Sequence, residues 1–342
     1  MKRMDGIFSP PPTEVASYAV EYVPLSPIVP KYPPKLGECA LTRDFSANRT
    51  PSLSVLVWNI ERGYRLQTVI DELLAANADV VLLQEVDMGC RRSFSNDTGA
   101  EIARALGMRM AFATEYVNVN NEGRTESGDL GGVEGVAILT RYAIVDQRTI
   151  ALPKVGHVDA NRTVSPLALR ATVDTPCGNV VFYSTHLNCW ASRSERMTQF
   201  APVIEDAVRT MTGTSCPVVV GGDLNTHNHG LTRLFNRLSG GERLAGLGQK
   251  ESQWWDDTVK SSLQKLGCHE ASRCGLIDPF DKRDDSHNMW FKVGPLTVWG
   301  GKLDWLLYSL FFEVEDARTS QCGRGSDHPY LFARLSARAA GT

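Results

Sequence analysis

Four times along this chain a short, nearly unbroken apolar run ends on an acid, an amide or an imidazole. Leu53 to Ile60 leads into Asn59 and Glu61, Asp79 to Val86 carries Glu85 near its end, Val180 to His186 stops at the imidazole, and Val218-Val219-Val220 passes through two glycines to Asp223 and Asn225. Runs of this kind fit strands covered on both faces, because a strand with one wet face alternates polar and apolar residues. Between the first two runs, Leu66, Val69, Ile70, Leu73 and Leu74 recur at helical spacing. The order strand, helix, strand excludes a purely helical bundle and predicts a layered α/β protein.

The same pattern continues through most of the chain. A short helix is expected over Ala100 to Leu106, strands over Met108 to Val117 and Gly135 to Thr140, and a hairpin with Leu167 to Asp174 and Val180 to His186 as its arms. An amphipathic helix then buries Met197, Phe200, Ile204, Val208 and Met211. Helical patterns near Leu231 to Leu238 and Trp254 to Leu266 precede three last strands, Leu303 to Ser309, Phe311 to Glu315 and Pro329 to Leu335. Residues 1–50 differ: prolines crowd Pro10 to Pro12 and Pro24 to Pro34 without strand or helix periodicity, which reads as an extended arm. The expected organisation is this Pro-rich extension, one domain over residues 51–338, and a tail of residues 339–342.

Composition narrows the function. A formal net charge of −3 and a pI near 6.2 argue against a protein that coats nucleic acid through bulk positive charge. No apolar run reaches transmembrane length, and Met1-Lys2-Arg3 leads into proline-rich sequence instead of the apolar core of a signal peptide. The expectation is a cytoplasmic protein, with the nucleus as the alternative. The cysteines lack zinc-ligand spacing and several sit in apolar runs, so buried free thiols are expected, with Cys268 and Cys274 the first pair to check for a bridge.

Chain direction locates a site. The first four polar sets lie at the C-terminal ends of their strands, whereas Asp304 and Asp327-His328 come at the beginnings of theirs. If those last strands run antiparallel to the others, all six sets meet on one rim. Asn59 and Glu61, and Asp223 and Asn225, are spaced two apart, and such side chains share a face of an extended segment. Asp304 enters the apolar run Trp305-Leu306-Leu307, where an unpartnered carboxylate is costly, and His328 is its natural partner.

Val57-Trp58-Asn59-Ile60-Glu61, Leu83-Gln84-Glu85-Val86, Ser184-Thr185-His186-Leu187, Gly222-Asp223-Leu224-Asn225-Thr226, Lys302-Leu303-Asp304-Trp305 and Gly325-Ser326-Asp327-His328-Pro329 resemble the ordered motif series of the endonuclease/exonuclease/phosphatase superfamily, with deoxyribonuclease I as a member. The resemblance implies a four-layer α/β (α+β) sandwich of two mixed β-sheets flanked by helices. It also implies a metal-dependent phosphoric ester hydrolase. By resemblance Glu85 is the principal Mg²⁺ ligand, with Mn²⁺ as a substitute, and Asn59, Glu61 and Asp327 contribute directly or through water. Oxygen donors of this kind suit a hard cation. Asp223, oriented with Asn225, matches the group that positions or deprotonates the attacking water. His186 and His328 match the imidazoles on the scissile phosphate, and Asp304 the carboxylate paired with His328.

The substrate is less constrained. Arg91-Arg92 follows Glu85 closely, and Arg124, Arg162 and Arg193 fall between strands; of these, Arg91 and Arg193 are the candidate phosphate-binding side chains. The flanking residues that mark inositol 5-phosphatases and apurinic/apyrimidinic endonucleases are missing. A phosphodiesterase or nuclease is the first reading. A phosphomonoesterase on an inositol or other small phosphate and a sphingomyelinase-like lipid phosphodiesterase are the alternatives, so nucleic acid and lipid headgroup both stay open as substrates. A catalytically silent scaffold is the last alternative, and the full set of acids and imidazoles argues against it. Oligomeric state has no signature in the sequence.

Overall fold

The structure, a computed structural model, describes residues 51–118, 131–156, 162–226, 275–280, 291–293, 296–299, 302–321 and 324–338. The extension, the Trp254-Trp255 region, His227, His229, His269, Cys268, Cys274 and Arg124 lie outside them, as do the two helical patterns expected between Leu231 and Leu266.

In chain order the strands are β1 (Ser52–Asn59), β2 (Val80–Met88), β3 (Arg109–Asn118), β4 (Val133–Thr140), β5 (Ala143–Ala151), β6 (Arg162–Val164), β7 (Leu167–Thr175), β8 (Gly178–His186), β9 (Val218–Asp223), β10 (Leu276–Ile277), β11 (Phe291–Val293), β12 (Leu296–Trp299), β13 (Asp304–Ser309), β14 (Phe312–Thr319) and β15 (Leu331–Ala337). Among the described residues the α-helices are α1 (Leu66–Ala76), α2 (Thr98–Leu106) and α3 (Arg193–Gly213). One sheet has the order β14-β15-β1-β2-β4-β3-β6 and the other β10-β13-β9-β8-β7-β5, while β11 and β12 form a separate pair. Both large sheets are mixed: β1 runs parallel to β2 and antiparallel to β15, and β9 runs parallel to β8 and antiparallel to β13. The expected antiparallel return of the last strands is therefore present.

Side-chain alternation sorts residues into the layers. On β1, Leu53, Val55 and Val57 enter the core between the sheets, together with Val80 and Leu82 of β2, Phe182 of β8, Val219 of β9 and Leu306 of β13. The alternate residues Leu56 and Trp58, with Val81 and Leu83, meet Val69, Ile70 and Leu73 of α1 and Ile102 of α2. On the far side Val218, Val220, Trp305 and Leu307 meet Phe200, Ile204, Val208 and Met211 of α3. The result is helices, sheet, sheet, helix, the four-layer sandwich. Each fully buried Val, Leu or Phe contributes on the order of 1.5–3 kcal/mol, which is why both faces of each central strand are apolar. Two members of the expected helical stripes differ, since Leu74 is exposed and Met197 is only half-buried.

The helix ends are fixed locally. Ser192 and Glu195 form a reciprocal cap at the start of α3, Asp97 accepts from the Ala100 N–H at the start of α2, and Asn77 closes α1 in the left-handed conformation. Gly221 decides how closely the sheets approach. A β-carbon there would lie 2.5 Å from Val57 Cγ2 and 2.7 Å from Leu82 Cδ1. Directly beyond this contact lie the strand ends that carry the acids. Among the described residues no helix is long and apolar enough to cross a membrane.

Candidate active site

Alternation that buries Val57, Val219 and Leu306 between the sheets also aims Asn59, Asp223 and Asp304 into the same space, one step nearer the rim. The registers align them: His186 is paired with Asp223 across β8 and β9, Asp223 with Asp304 across β9 and β13, and Asn59 with Gln84 across β1 and β2. Gln84 ties the two sheets together by donating to Ser184 Oγ at 3.0 Å.

Glu85 is one residue out of phase with Leu82 and Gln84 and by simple alternation would face the helices. A register shift against β4 between Leu83 and Val86 and a φ of +52° at Glu85 mark a β-bulge, the usual device for re-aiming a side chain beside a functional site. Its Oε1 accepts from Asn59 Nδ2 at 3.3 Å. The same amide donates to Asp223 Oδ2 at 3.1 Å, and Asn59 Oδ1 accepts from the Glu61 N–H at 3.1 Å. Asn59 thus bridges the two carboxylates, and the backbone N–H fixes which way its amide points.

Asp223 is the centre of the arrangement. Oδ1 accepts from the Asn225 N–H at 2.9 Å, and Oδ2 lies 3.6 Å from His186 Nε2 and 3.8 Å from His328 Nε2. His328 Nδ1 is 2.7 Å from Asp304 Oδ2. Burial works against charge on the His328 ring, but Asp304 beside it, with Asp223 and Asp327, holds it well above the ordinary histidine range. Burial also pushes the Asp304 carboxyl up to about 6, against the pull of His328. At neutral pH the pair is an imidazolium and a carboxylate. The loop is held in place by Trp58 Nε1 donating to the His328 carbonyl at 2.9 Å and by Ser326 Oγ donating to the Asn59 carbonyl at 2.6 Å.

The i, i+2 expectation is corrected at two places. Glu61 (φ 48°) and Asn225 (φ 51°) are in left-handed conformations just past their strands, so neither shares a face with its partner. Glu61 turns to Arg65 at 2.6 Å, and Asn225 Nδ2 donates to the Leu187 carbonyl at 2.8 Å, bracing the loop after His186. Asp327 is half-buried, with its Oδ1 3.3 Å from Ser326 Oγ. Arg91 is exposed and makes no hydrogen bond or ion pair with a site residue among the described residues. Arg193 opens α3, and its side chain, like that of Arg162, lies outside the described residues. The neighbour Arg92 is structural: its side chain is 4% exposed and it reaches Asp87 and Glu134 at 2.5–2.7 Å.

Three charged residues at the site escaped sequence reasoning. Arg62 NH1 stands 3.2 Å from Glu85 Oε2, and Glu134 and Glu115 are buried toward the same interior. Glu134 was discoverable, because it continues the inward alternation of Val136 and Ile138 on β4. Glu115 sits at a register shift in β3, which strand periodicity does not reveal. Burial first, then Glu134, Glu85 and Asp223, push its carboxyl far above the usual range. Glu85 is raised as well, by burial first, with Arg62 opposing.

The donor set fits a divalent cation. Ligand atoms of Asp223, Asp304 and His328 lie within 4.8 Å of one another, but the 2.7 Å contact makes Asp304 and His328 a hydrogen-bonded pair that a metal would have to disrupt. Glu85 is the better anchor: its side chain is 15% exposed, and the Asn59 amide ties it to the Asp223 carboxylate, so carboxylate oxygens gather there, the chemistry of a hard cation.

No curated protein matches the chain. Among solved structures, an endonuclease/exonuclease/phosphatase from Beutenbergia cavernae is similar at 19% identity and TM-score 0.57, over 85% of this chain and 73% of that one. The human Nocturnin catalytic domain with bound sulfate anion is similar at 19% identity and TM-score 0.55, over 85% and 97%. ANGEL2, a 2',3'-cyclic phosphatase in complex with adenosine-2',3'-vanadate, is similar at 15% identity and TM-score 0.53, over 85% and 97%. These likenesses establish the deoxyribonuclease I-like fold. The sequence model of the Endonuclease/Exonuclease/phosphatase family, whose members are hydrolases of phosphoesters that generally depend on a divalent metal, matches residues 56–328, and the chain belongs to that family.

Proposed function

We propose that this chain is a Mg²⁺-dependent phosphodiesterase acting on nucleic acid by in-line attack of water. The observation that supports this most is the Asp223 carboxylate, which two N–H donors hold and two imidazoles face at 3.6 and 3.8 Å. A phosphodiester repels nucleophiles, so its hydrolysis needs a held water, positive charge at the non-bridging oxygens and support for the departing oxygen. Asp223, fixed by Asn59 and by the Asn225 N–H, orients the water and accepts its proton. His328, kept protonated by Asp304, donates toward a non-bridging oxygen, and His186 stands beside it for the same purpose. Asn225 acts as a positioning residue through Asp223 and Leu187. Glu85, with Asn59, Glu61 and Asp327 contributing directly or through water, would hold Mg²⁺ or Mn²⁺, which would supply Lewis-acid stabilisation of charge on the phosphate and the leaving oxygen. The nucleic-acid assignment draws support from the adenosine-2',3'-vanadate in the ANGEL2 structure.

Hydrolysis of single-stranded DNA, RNA, a chromogenic bis-ester, sphingomyelin and phosphoinositides, with Mg²⁺ and with Mn²⁺, tests the proposal. The expected result is cleavage of a nucleic acid and the bis-ester, reduced on the order of 10³-fold in Asp223→Asn. Full turnover by that variant rejects the role of Asp223, and hydrolysis confined to lipid or monoester substrates rejects the substrate class.

A further inference from the structure

Two arginines share the acids behind the site, and they are held differently. Arg92 forks onto Asp87 and Glu134 at 2.5–2.7 Å with its side chain 4% exposed. Arg62 makes looser contacts, NH1 at 3.2 Å from Glu85 Oε2 and Nε at 3.7 Å from Glu134 Oε2, with its side chain 26% exposed. Its Nε is buried without a hydrogen-bond partner. The backbone of Arg62 is left-handed at φ 61°, a conformation that costs a residue with a β-carbon on the order of 1 kcal/mol and here directs the side chain at these carboxylates. Arg92 is fixed by directed hydrogen bonds. Arg62 is retained by charge, next to solvent.

Both oxygens of Glu85 are engaged, Oε1 by Asn59 Nδ2 and Oε2 by Arg62. A hard cation binds a carboxylate oxygen at about 2.0–2.6 Å, so a metal on Glu85 would meet the guanidinium at close range, and like charges repel strongly where water is sparse. Resting on the reading that Glu85 anchors the metal, we propose that Arg62 is a tethered counter-ion for Glu85 and Glu134 that a divalent cation displaces from Glu85. Arg62 then sets metal affinity. It keeps two neighbouring acids compensated in the metal-free protein and weakens metal binding by competing for one of them.

Mn²⁺ binding, measured by calorimetry and by the loss of the free-ion electron paramagnetic resonance signal, tests this without any turnover assay. Arg62→Gln is expected to bind Mn²⁺ about tenfold more tightly than the parent, and Arg62→Lys, which keeps the charge, within about twofold of it. A measurement on the unaltered protein covers the case in which Arg62→Gln fails to fold. Phenylglyoxal labelling of Arg62, read by peptide mass spectrometry, is expected to speed up several-fold on adding Mg²⁺, while labelling of Arg92 stays constant. Equal or weaker Mn²⁺ binding by a folded Arg62→Gln, or Arg62 labelling that Mg²⁺ leaves unchanged or slows, overturns the counter-ion role. Mn²⁺ binding that is absent from the parent, or that Glu85→Gln leaves intact, overturns the metal centre at Glu85 and this inference with it.

Discussion

Asp223 and Asp304 are direct cross-strand partners on β9 and β13, two buried acids side by side, and one imidazole reconciles them. His328 Nδ1 is 2.7 Å from Asp304 Oδ2 and its Nε2 is 3.8 Å from Asp223 Oδ2. Like charges directly opposite in a sheet are destabilising, so the position requires a cation between them. His328→Ala removes that cation. Loss of activity on the order of 10³-fold is expected, with a fall in stability of about 1–3 kcal/mol. Turnover of the bis-ester and urea denaturation measure the two effects.

The Asp304–His328 pair is expected to set an acid limit for activity. Burial raises the Asp304 carboxyl to about 6, so Asp304 is ionised above that pH and takes up a proton below it. His328, held well above its ordinary range, is protonated on both sides of this transition. Falling pH therefore removes the charge on Asp304 that orients and stabilises the imidazolium. With metal saturating, kcat/KM is expected to drop on the acid side with a midpoint near 6. Asp304→Asn, which cannot titrate there, should lose that limb as well as most of the activity. An unchanged limb in the variant would assign the transition to another group.

Glu115 gives a stability signature with the opposite chemistry. Its carboxyl is buried, Oε2 has no hydrogen-bond partner, and burial with the neighbouring acids Glu134, Glu85 and Asp223 raises it far above the usual range. The folded chain thus keeps a proton that the unfolded chain releases near pH 4.3. Stability must fall as pH rises from there toward the raised value, because the folded state is the one binding more protons. Glu115→Gln removes this dependence, so denaturant midpoints at pH 5, 7 and 9 are expected to decline less in the variant than in the parent. Parallel declines would show that Glu115 is ionised in the fold.

Sheet spacing is testable at Gly221. A β-carbon there would meet Val57 Cγ2 at 2.5 Å and Leu82 Cδ1 at 2.7 Å, and both neighbours are fully buried. Gly221→Ala is expected to destabilise by about 1–3 kcal/mol through overpacking and to reduce activity by moving Asp223, two residues on. Combining it with Val57→Ala should restore part of the stability, a coupling that a double-mutant cycle measures.

The sequence by itself determined the layers and the place where the candidate residues converge. Unbroken apolar runs such as Leu53 to Ile60 can be satisfied only by cover on both faces, and polar residues at their ends, Asn59, Glu85, His186 and Asp223, gather where they can pair with one another because an unpartnered polar group in an apolar interior is costly. Chain direction extended this to Asp304 and His328, since a strand that begins with its polar residue reaches the same rim when it runs back. Tertiary structure decided the aim of individual side chains. Glu85 points into the site because of a bulge against β4, Glu61 and Asn225 leave their expected faces through left-handed backbones, and of the pair Arg91-Arg92 the second is locked beneath the site while the first is exposed. Arg62 and Glu115 reach the same interior for the same reason, whereas Glu134 follows the regular alternation of β4. Periodicity fixes which face of a regular element a residue occupies, but bulges and turns depart from that period, and where they fall depends on the packing of strands far apart in the chain.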